Sequence, residues 1–199
     1  MIAIFDYGAG NLRSVENTLG ELGWEYELVR NAEGLRRAPK IILPGVGHFG
    51  QMMRALDALD VRAALLERIR AGVPFLGICL GLQALFESSE EAREERGLGL
   101  YPGTVRRFPA DARVPHMGWN ELEAKPDSKL VRNLTARPFV YFAHSYYIPE
   151  NERASATCTY AVPYTAVLEC GNVFGVQFHP EKSGPVGLRI VRNFLELPC

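Results

Sequence analysis

Hydrophobic positions along the chain follow two different spacings, and their alternation predicts the order of the elements. Short runs typical of strands lie at 1–5, 25–29, 40–43 and 73–78. Apolar residues at helical spacing predict helices over about 11–22, 54–71 and 80–87. Gly23 and Gly72 follow the first two of these helices and are suited to end them. Strands that alternate with helices form βαβ units, so the pattern predicts an α/β fold with a mostly parallel central sheet flanked by helices.

The pattern changes after about Leu98, where β-branched and aromatic residues become more frequent. Short strands are predicted at 104–108, 119–122, 139–144, 154–159, 165–170 and 173–178. We expect several of them to pair antiparallel, as a smaller portion in the C-terminal half, before a final helix over about 185–195. The charged run ESSEEAREER at 87–96 is typical of a solvated helix end or loop. The chain has no internal repeat, and we predict a single domain over 1–199.

Composition narrows the class of protein. The 199 residues are 47% hydrophobic and 23% charged, which is ordinary for a globular protein. A net charge of −1 excludes a generally basic nucleic-acid binder. No apolar run approaches the roughly 20 residues that span a bilayer, and the N-terminus lacks the basic segment of a signal peptide. We therefore expect a cytoplasmic protein whose four cysteines are reduced thiols.

The strongest local signal for chemistry is the segment FLGICLGLQ at 75–83. An apolar strand runs into G-x-C-x-G before a predicted helix, which is a nucleophile elbow with cysteine in place of serine. Glycines two residues before and after the nucleophile let neighbouring backbones pass closely. The turn places Cys79 at a helix N-terminus, which stabilises a thiolate, and points the Leu80 N–H at a developing oxyanion. The alternative is a buried structural cysteine, which is our interpretation of Cys158, Cys170 and Cys199.

A thiolate nucleophile needs a base and a group that orients the base. His179 lies in GVQFHPEKS, where Pro180 keeps the preceding residue extended. Residues i and i+2 of an extended segment share a face, so Glu181 can hold the imidazole of His179. Taken alone, this pair also fits a strand-end histidine beside a solvated glutamate. The elbow at Cys79 favours the catalytic interpretation.

The remaining histidines and glycine-rich turns leave alternatives open. His48 follows PGVG at 44–47, which fits either a tight turn or a loop that supplies an oxyanion donor. His116 fits a hydrogen-bonded loop histidine, and His144 fits either that or the lining of a pocket. The GAG turn at 8–10 lacks the GxGxxG or GK[ST] of a phosphate loop. No His, Cys or carboxylate pair recurs at zinc-ligand spacing, so we predict neither a metal nor a cofactor.

Together, these segments resemble the class I (triad-type) glutamine amidotransferases over essentially the whole chain. GICLGLQ is similar to the nucleophile segment of that family, and QFHPEKS is similar to its His/Glu segment. Four further segments resemble one subfamily, the glutaminase subunits of imidazole glycerol phosphate synthases. These segments are IFDYGAGNLRSV, LPGVGHF, PHMGWN and HSYY. The resemblance implies a flavodoxin-like α/β domain with a mostly parallel sheet and a smaller antiparallel part.

The resemblance also implies roles for individual residues. Cys79 would be the nucleophile, His179 the base and Glu181 its orienting acid. The PGVG loop, through the Val46 N–H, would complete an oxyanion hole with Leu80, and in the family this loop changes conformation when the partner is engaged. The substrate glutamine is held in the family at positions that match Gly47, Gln83, Ser145 and Tyr146 of this chain. Positions near the partner interface are matched by Asn11, Trp119, Tyr141 and Lys182.

The implied reaction is hydrolysis of glutamine to glutamate and ammonia through a γ-glutamyl thioester. The implied partner is a cyclase subunit with a (β/α)8-barrel fold, in a heterodimer that carries the ammonia along a closed path. That cyclase would make imidazole glycerol phosphate and an aminoimidazole carboxamide ribotide in histidine biosynthesis. Alternatives are the glutaminase subunit of another amidotransferase pathway, a stand-alone Cys-His hydrolase, and a catalytically silent binding subunit.

Overall fold

The computed structural model describes residues 1–135 and 137–198, so Cys199 lies outside the described residues. The strands are β1 (Ile2–Phe5), β2 (Tyr26–Val29), β3 (Ile41–Gly45), β4 (Phe75–Cys79), β5 (Phe86–Ser89), β6 (Tyr101–Arg107), β7 (His116–Glu121), β8 (Glu123–Ala124), β9 (Phe139–His144), β10 (Tyr146–Tyr147), β11 (Ala154–Tyr160), β12 (Val162–Cys170) and β13 (Val173–Val176). The helices are α1 (Leu12–Glu21), α2 (Ala32–Arg37), α3 (Phe49–Ala58), α4 (Arg62–Arg70), α5 (Leu80–Gln83) and α6 (Gly184–Leu195), with a 3₁₀ turn at Pro180–Lys182.

A central sheet with the strand order β2-β1-β3-β4-β13-β12-β11-β8 organises the chain. The pairs from β2 through β13 are parallel, and the pairs from β13 through β8 are antiparallel. The predicted α/β fold, with its antiparallel portion in the C-terminal half, is therefore confirmed. Smaller sheets join β10-β6-β5 and β7-β9.

Both faces of the central sheet are buried, because successive side chains of a strand point to opposite faces. In β1, Ala3 and Phe5 pack into one hydrophobic cluster, whereas Ile2 and Ile4 pack into a second. The continuous apolar runs in the sequence follow from this two-sided burial. The carboxyl ends of β3, β4 and β13 meet at one edge, which is where open α/β sheets bind ligands.

The single helix predicted over 54–71 is wrong, because the structure divides this region into α3 and α4. Asp60 has φ +50° and ends α3 in a Schellman motif. The Asp60 N–H donates to Asp57 O at 2.9 Å, and the Val61 N–H donates to Leu56 O at 3.1 Å. This position usually holds glycine, so the sequence gives no strong stop signal at an aspartate.

The helix predicted over 80–87 is also too long, since α5 ends at Gln83 and β5 follows. Amides of a later segment take the carbonyls that a longer helix would use. The Leu98 N–H donates to Ala84 O at 2.7 Å, and the Leu100 N–H donates to Leu85 O at 2.9 Å. The helix N-terminus that the sequence places behind Cys79 is therefore a single turn.

The charged run at 87–96 is largely exposed, as the sequence indicates, but it forms the end of β5 and the turns that follow, and several of its side chains also bind other elements. Glu90 accepts the Arg107 N–H at 2.8 Å, and Glu95 forms an ion pair with Arg54 at 2.7 Å. Within residues 1–135 and 137–198, no helix is long and apolar enough to cross a membrane.

Candidate active site

The turn after β4 has the strained geometry that a nucleophile elbow requires. Cys79 has φ +52°, a conformation that costs a non-glycine residue roughly 1–3 kcal/mol. A Cβ on Gly77 would lie 2.5 Å from Gly81 O, and one on Gly81 would lie 2.0 Å from Leu43 O. The expected steric reason for both glycines is confirmed, since no larger side chain fits at either position.

The register of the parallel sheet brings Cys79 and His179 together although they are distant in sequence. Val176 of β13 pairs with Ile78 of β4, so the segments that leave these two strands start side by side. Cys79 and His179 line the same cavity, where Cys79 helps to raise the pKa of His179, and His179 Nδ1 lies 2.9 Å from Glu181 Oε1. All three side chains are buried or nearly so. The structure thus groups a thiol, an imidazole and a carboxylate in the order of a catalytic triad.

Charge within this group favours the protonated form of His179. Burial opposes the positive charge on the imidazole, but the hydrogen bonds and charges of Cys79 and Glu181 outweigh it and raise the pKa of His179. An imidazolium beside the sulfur stabilises a thiolate and can later protonate a leaving group.

Ser183 supports His179 through the backbone, a role that the sequence analysis missed. Its hydroxyl donates to His179 O at 2.7 Å and accepts the Tyr141 N–H at 3.0 Å, which ties the 3₁₀ turn to β9. The His179 N–H also donates to Tyr141 O at 2.9 Å. The imidazole therefore rests on a backbone that is fixed on both sides.

A cavity of about 290 Å³ opens over the triad. The residues implied by resemblance that line it are Cys79, His179, Val46, Leu80, Gly47, Gln83, Ser145, Tyr146 and Lys182. His144 also lines it, which is one of the two interpretations that its sequence left open, and so do Glu91, Pro115 and Ala143, which carry no such signal in the sequence. This volume is close to the lower limit of about 300 Å³ that is usual for small-molecule sites.

The PGVG loop forms one wall of the cavity in a conformation that occupies its amide. The Val46 N–H donates to Tyr7 Oη at 3.2 Å, and the Tyr7 hydroxyl donates to Val46 O at 3.2 Å. Burial is the main reason that the pKa of Tyr7 rises to about 12, so its hydroxyl stays protonated at neutral pH. His48 begins α3 by accepting the Gly50 N–H at 3.1 Å. An N–H engaged in this way is not directed at an oxyanion beside Cys79.

Glu91 is a cavity residue that the sequence placed in a solvated run. Its Oε2 accepts the Phe49 N–H at 2.8 Å, so the carboxylate lies at the start of α3 beside the PGVG loop. A carboxylate in this cavity can bind an ammonium group of a ligand. The only sequence signal was its acidity, which its many acidic neighbours share.

His116 and His144 lie on paired strands, not in loops, and belong to an aromatic cluster. His116 stacks on Tyr160 with ring centroids 4.0 Å apart and on Phe142 at 4.9 Å. His144 Nδ1 lies 2.8 Å from Tyr146 O. Burial lowers the pKa of His116 to about 4 and that of His144 to about 3. Both rings are therefore neutral at physiological pH.

We expect the free energy of unfolding to fall as the pH drops below about 6.5, the ordinary value for histidine. Below that pH the histidines of the unfolded chain bind protons. In the folded chain, buried His116 and His144 stay neutral until the pH reaches their pKa values of about 4 and about 3. The variant His116→Phe keeps a flat ring in the stack. It should reduce the slope of unfolding free energy against pH by about 1.4 kcal/mol per pH unit between pH 6 and 4.5. Urea denaturation at several pH values measures this slope, and a variant with the wild-type slope would contradict the assignment.

The residues implied at the partner interface occupy one region, only part of which touches the cavity. Trp119 is 56% exposed and lies edge-to-face with Tyr141 at 6.1 Å. Lys182 Nζ lies 5.9 Å from the centre of the Tyr141 ring. Asn11 begins α1, where its Oδ1 accepts the Ser14 hydroxyl at 2.9 Å, and α1 packs against the 3₁₀ turn.

Comparison with known proteins shows which sequences the chain is similar to. The family model described as glutamine amidotransferase class-I matches residues 3–197. The imidazole glycerol phosphate synthase subunit HisH of Desulfitobacterium hafniense strain Y51 is 46% identical over 196 residues, covering 98% of this chain and 93% of that protein. The HisH subunit of Deinococcus radiodurans is 47% identical over 197 residues, covering 97% of this chain and 92% of that protein.

The fold itself has solved counterparts. A crystal structure of a glutamine amidotransferase superimposes with a TM-score of 0.78 at 22% identity and covers 98% of both chains. The family model spans nearly all of the sequence, and the two relatives match at almost half of their positions. The chain therefore belongs to the class-I glutamine amidotransferase family.

Proposed function

We propose that this chain is the glutaminase subunit of an imidazole glycerol phosphate synthase, and that Cys79, His179 and Glu181 carry its reaction. The observation that carries the proposal is the buried thiol–imidazole–carboxylate group at the floor of a cavity suited to a small molecule. Two relatives of nearly equal length are HisH subunits, which favours this pathway over the pathways of other amidotransferases. The proposed location is the cytoplasm.

The proposed reaction proceeds through a covalent thioester. The Cys79 thiolate attacks the side-chain amide carbon of glutamine, and a bond forms between sulfur and carbon. The Leu80 N–H, which as the first amide of α5 has no acceptor within that helix, stabilises the oxyanion together with the Val46 N–H once the latter is released. The His179 imidazolium gives its proton to the departing nitrogen as the carbon–nitrogen bond breaks, and ammonia leaves. Neutral His179 then activates water, which cleaves the thioester to glutamate.

Groups around the cavity suit the amino-acid end of glutamine. The Glu91 carboxylate is available for the α-ammonium group. Both N–H groups of the Gln83 amide are occupied, by Tyr146 O at 2.9 Å and Gln177 Oε1 at 3.0 Å. Gln83 therefore offers its oxygen to the substrate, and that oxygen can only accept a hydrogen bond.

We propose that the ammonia passes to a cyclase subunit with a (β/α)8-barrel fold, docked on the surface that carries Trp119 and Tyr141. Large apolar side chains are exposed there on β7 and β9, with Met117 at 65% and Phe139 at 52%. Lys182 lies beside this surface and also lines the cavity, so a partner seated there would lie next to the active site. Exposed apolar side chains grouped in this way are typical of protein interfaces.

The direct test mixes the chain with such a cyclase and supplies glutamine as the only nitrogen source. We expect a stable complex and glutamine-driven synthesis of imidazole glycerol phosphate. Trp119→Ala should weaken the complex by about 30-fold or more in Kd, as expected for a central interface tryptophan. Trp24→Ala is the matched control, since Trp24 is a half-exposed tryptophan next to the outer strand β2. Absence of a complex, or equal weakening by both variants, would count against this partner surface.

A further inference from the structure

Gln177 contacts the candidate nucleophile, although nothing in the proposed reaction requires it so far. It follows β13 directly, next to the pair of Val176 with Ile78, which places it beside Cys79 at the edge of the sheet. Its side chain is fully buried. Its Nε2 lies 3.6 Å from Cys79 Sγ, at hydrogen-bonding distance for sulfur.

The surrounding hydrogen bonds fix which end of the Gln177 amide faces the sulfur. Tyr146 O is a carbonyl and can only accept, so Gln83 must present its Nε2 there, at 2.9 Å. The second N–H of the same Gln83 nitrogen donates to Gln177 Oε1 at 3.0 Å. With its oxygen committed to Gln83, Gln177 turns its Nε2 toward Cys79. A donor, not an acceptor, therefore faces the nucleophile.

We propose that the Gln177 carboxamide is a further catalytic group, which donates a hydrogen bond to the Cys79 thiolate and holds it in place for attack. The inference rests on the proposed function and deepens it. Burying an amide without hydrogen-bond partners costs free energy, and here both the oxygen and the nitrogen of the Gln177 amide have a partner. Because Gln83 lines the cavity and also orients Gln177, substrate contacts at Gln83 are linked to the nucleophile by two hydrogen bonds.

Two variants remove the donor in different ways. Gln177→Met has a similar length and cannot donate, whereas Gln177→Glu keeps an acceptor for Gln83. We expect both to alkylate Cys79 with iodoacetamide about tenfold more slowly or worse at pH 7, since a hydrogen bond to a charged group contributes roughly one to two powers of ten. In complex with the cyclase, kcat for glutamine should fall by about 10- to 100-fold while KM changes by less than about threefold.

Asn172→Asp is the control, because Asn172 lies at the opposite end of β13, where its amide donates to Ile69 O and Val73 O at 2.8 Å each. It changes a structural amide to a carboxylate without touching Cys79. Wild-type alkylation rates in both Gln177 variants, or equal slowing in Asn172→Asp, would overturn the proposal. If the wild-type complex lacks glutaminase activity, the proposed function fails, whereas the alkylation rates still decide the Gln177 contact.

Discussion

Replacement of Cys79 by alanine should reduce glutamine hydrolysis by at least about 10⁴-fold, to below detection, because no other group can form the thioester. Synthesis driven by added ammonium salt should continue at the rate of the unmodified complex, since the cyclase chemistry does not use this thiol. His179→Ala should give the same separation of the two activities. Assays of both activities on one preparation of complex make the comparison, and full glutaminase activity in Cys79→Ala would end the proposed reaction.

The other thiols supply the control for this result. Cys170→Ala changes an exposed cysteine and should leave both activities unchanged. Cys158 is buried, and burial is the main reason that its pKa rises to about 11, so it stays protonated at neutral pH. Iodoacetamide should modify Cys79 much faster than Cys158, and much faster than the exposed Cys170 as well. A silent binding subunit would not label Cys79 faster than the exposed Cys170, which separates that alternative from an enzyme.

Helix ends show what the local sequence can and cannot predict. Gly23 has φ +73° and Gly72 has φ +87°, and the helix before each glycine ends where the sequence indicates. Asp60 adopts the same kind of conformation without glycine and divides one predicted helix into two. Likewise, α2 was missed although Asn31 caps it by accepting the Gly34 N–H at 2.9 Å. Its six residues are too few to show a clear helical period.

The contacts of the candidate site also differ in how far the sequence predicts them. The contacts within G-x-C-x-G, and the one between His179 and Glu181, join residues close in sequence, so the motifs predict them directly. The contacts of Tyr7 with Val46 and of Glu91 with Phe49 depend on how separate elements pack. Such contacts follow from sheet order and register, which a single sequence does not determine. The resemblance named residues for the cavity, whereas the orientation of their donors came only from the structure.

Partner dependence is the second large effect that we expect. Alone, the chain should hydrolyse glutamine about 100-fold or more slowly than in complex with the cyclase, because the loss of one oxyanion donor costs roughly 10²–10³ in rate. In the structure the Val46 N–H is bound to Tyr7 Oη, which leaves the Leu80 N–H as the donor of the pair. Steady-state assays of the chain with and without the cyclase measure the ratio.

Tyr7→Phe tests whether the hydroxyl holds the loop in this state. The variant removes both hydrogen bonds to Val46 and keeps the buried ring, so the loop should turn toward Cys79 more often. Two neutral hydrogen bonds, each worth about 1 kcal/mol, together predict a gain of about 30-fold in the activity of the isolated chain. In the complex, where we expect the partner to release the loop, the same variant should change kcat little.

Tyr160→Phe is the matched control, since its hydroxyl donates to Arg113 O and contacts neither Val46 nor Cys79. It should leave the isolated chain at its basal rate. A Tyr7→Phe variant that is slower than wild type, or unchanged, would mean that the hydroxyl does not restrain the amide. A gain in activity in Tyr7→Phe but not in Tyr160→Phe would show that Tyr7 Oη restrains the Val46 N–H. Most substitutions near an active site lower activity, whereas release of a blocked donor raises it.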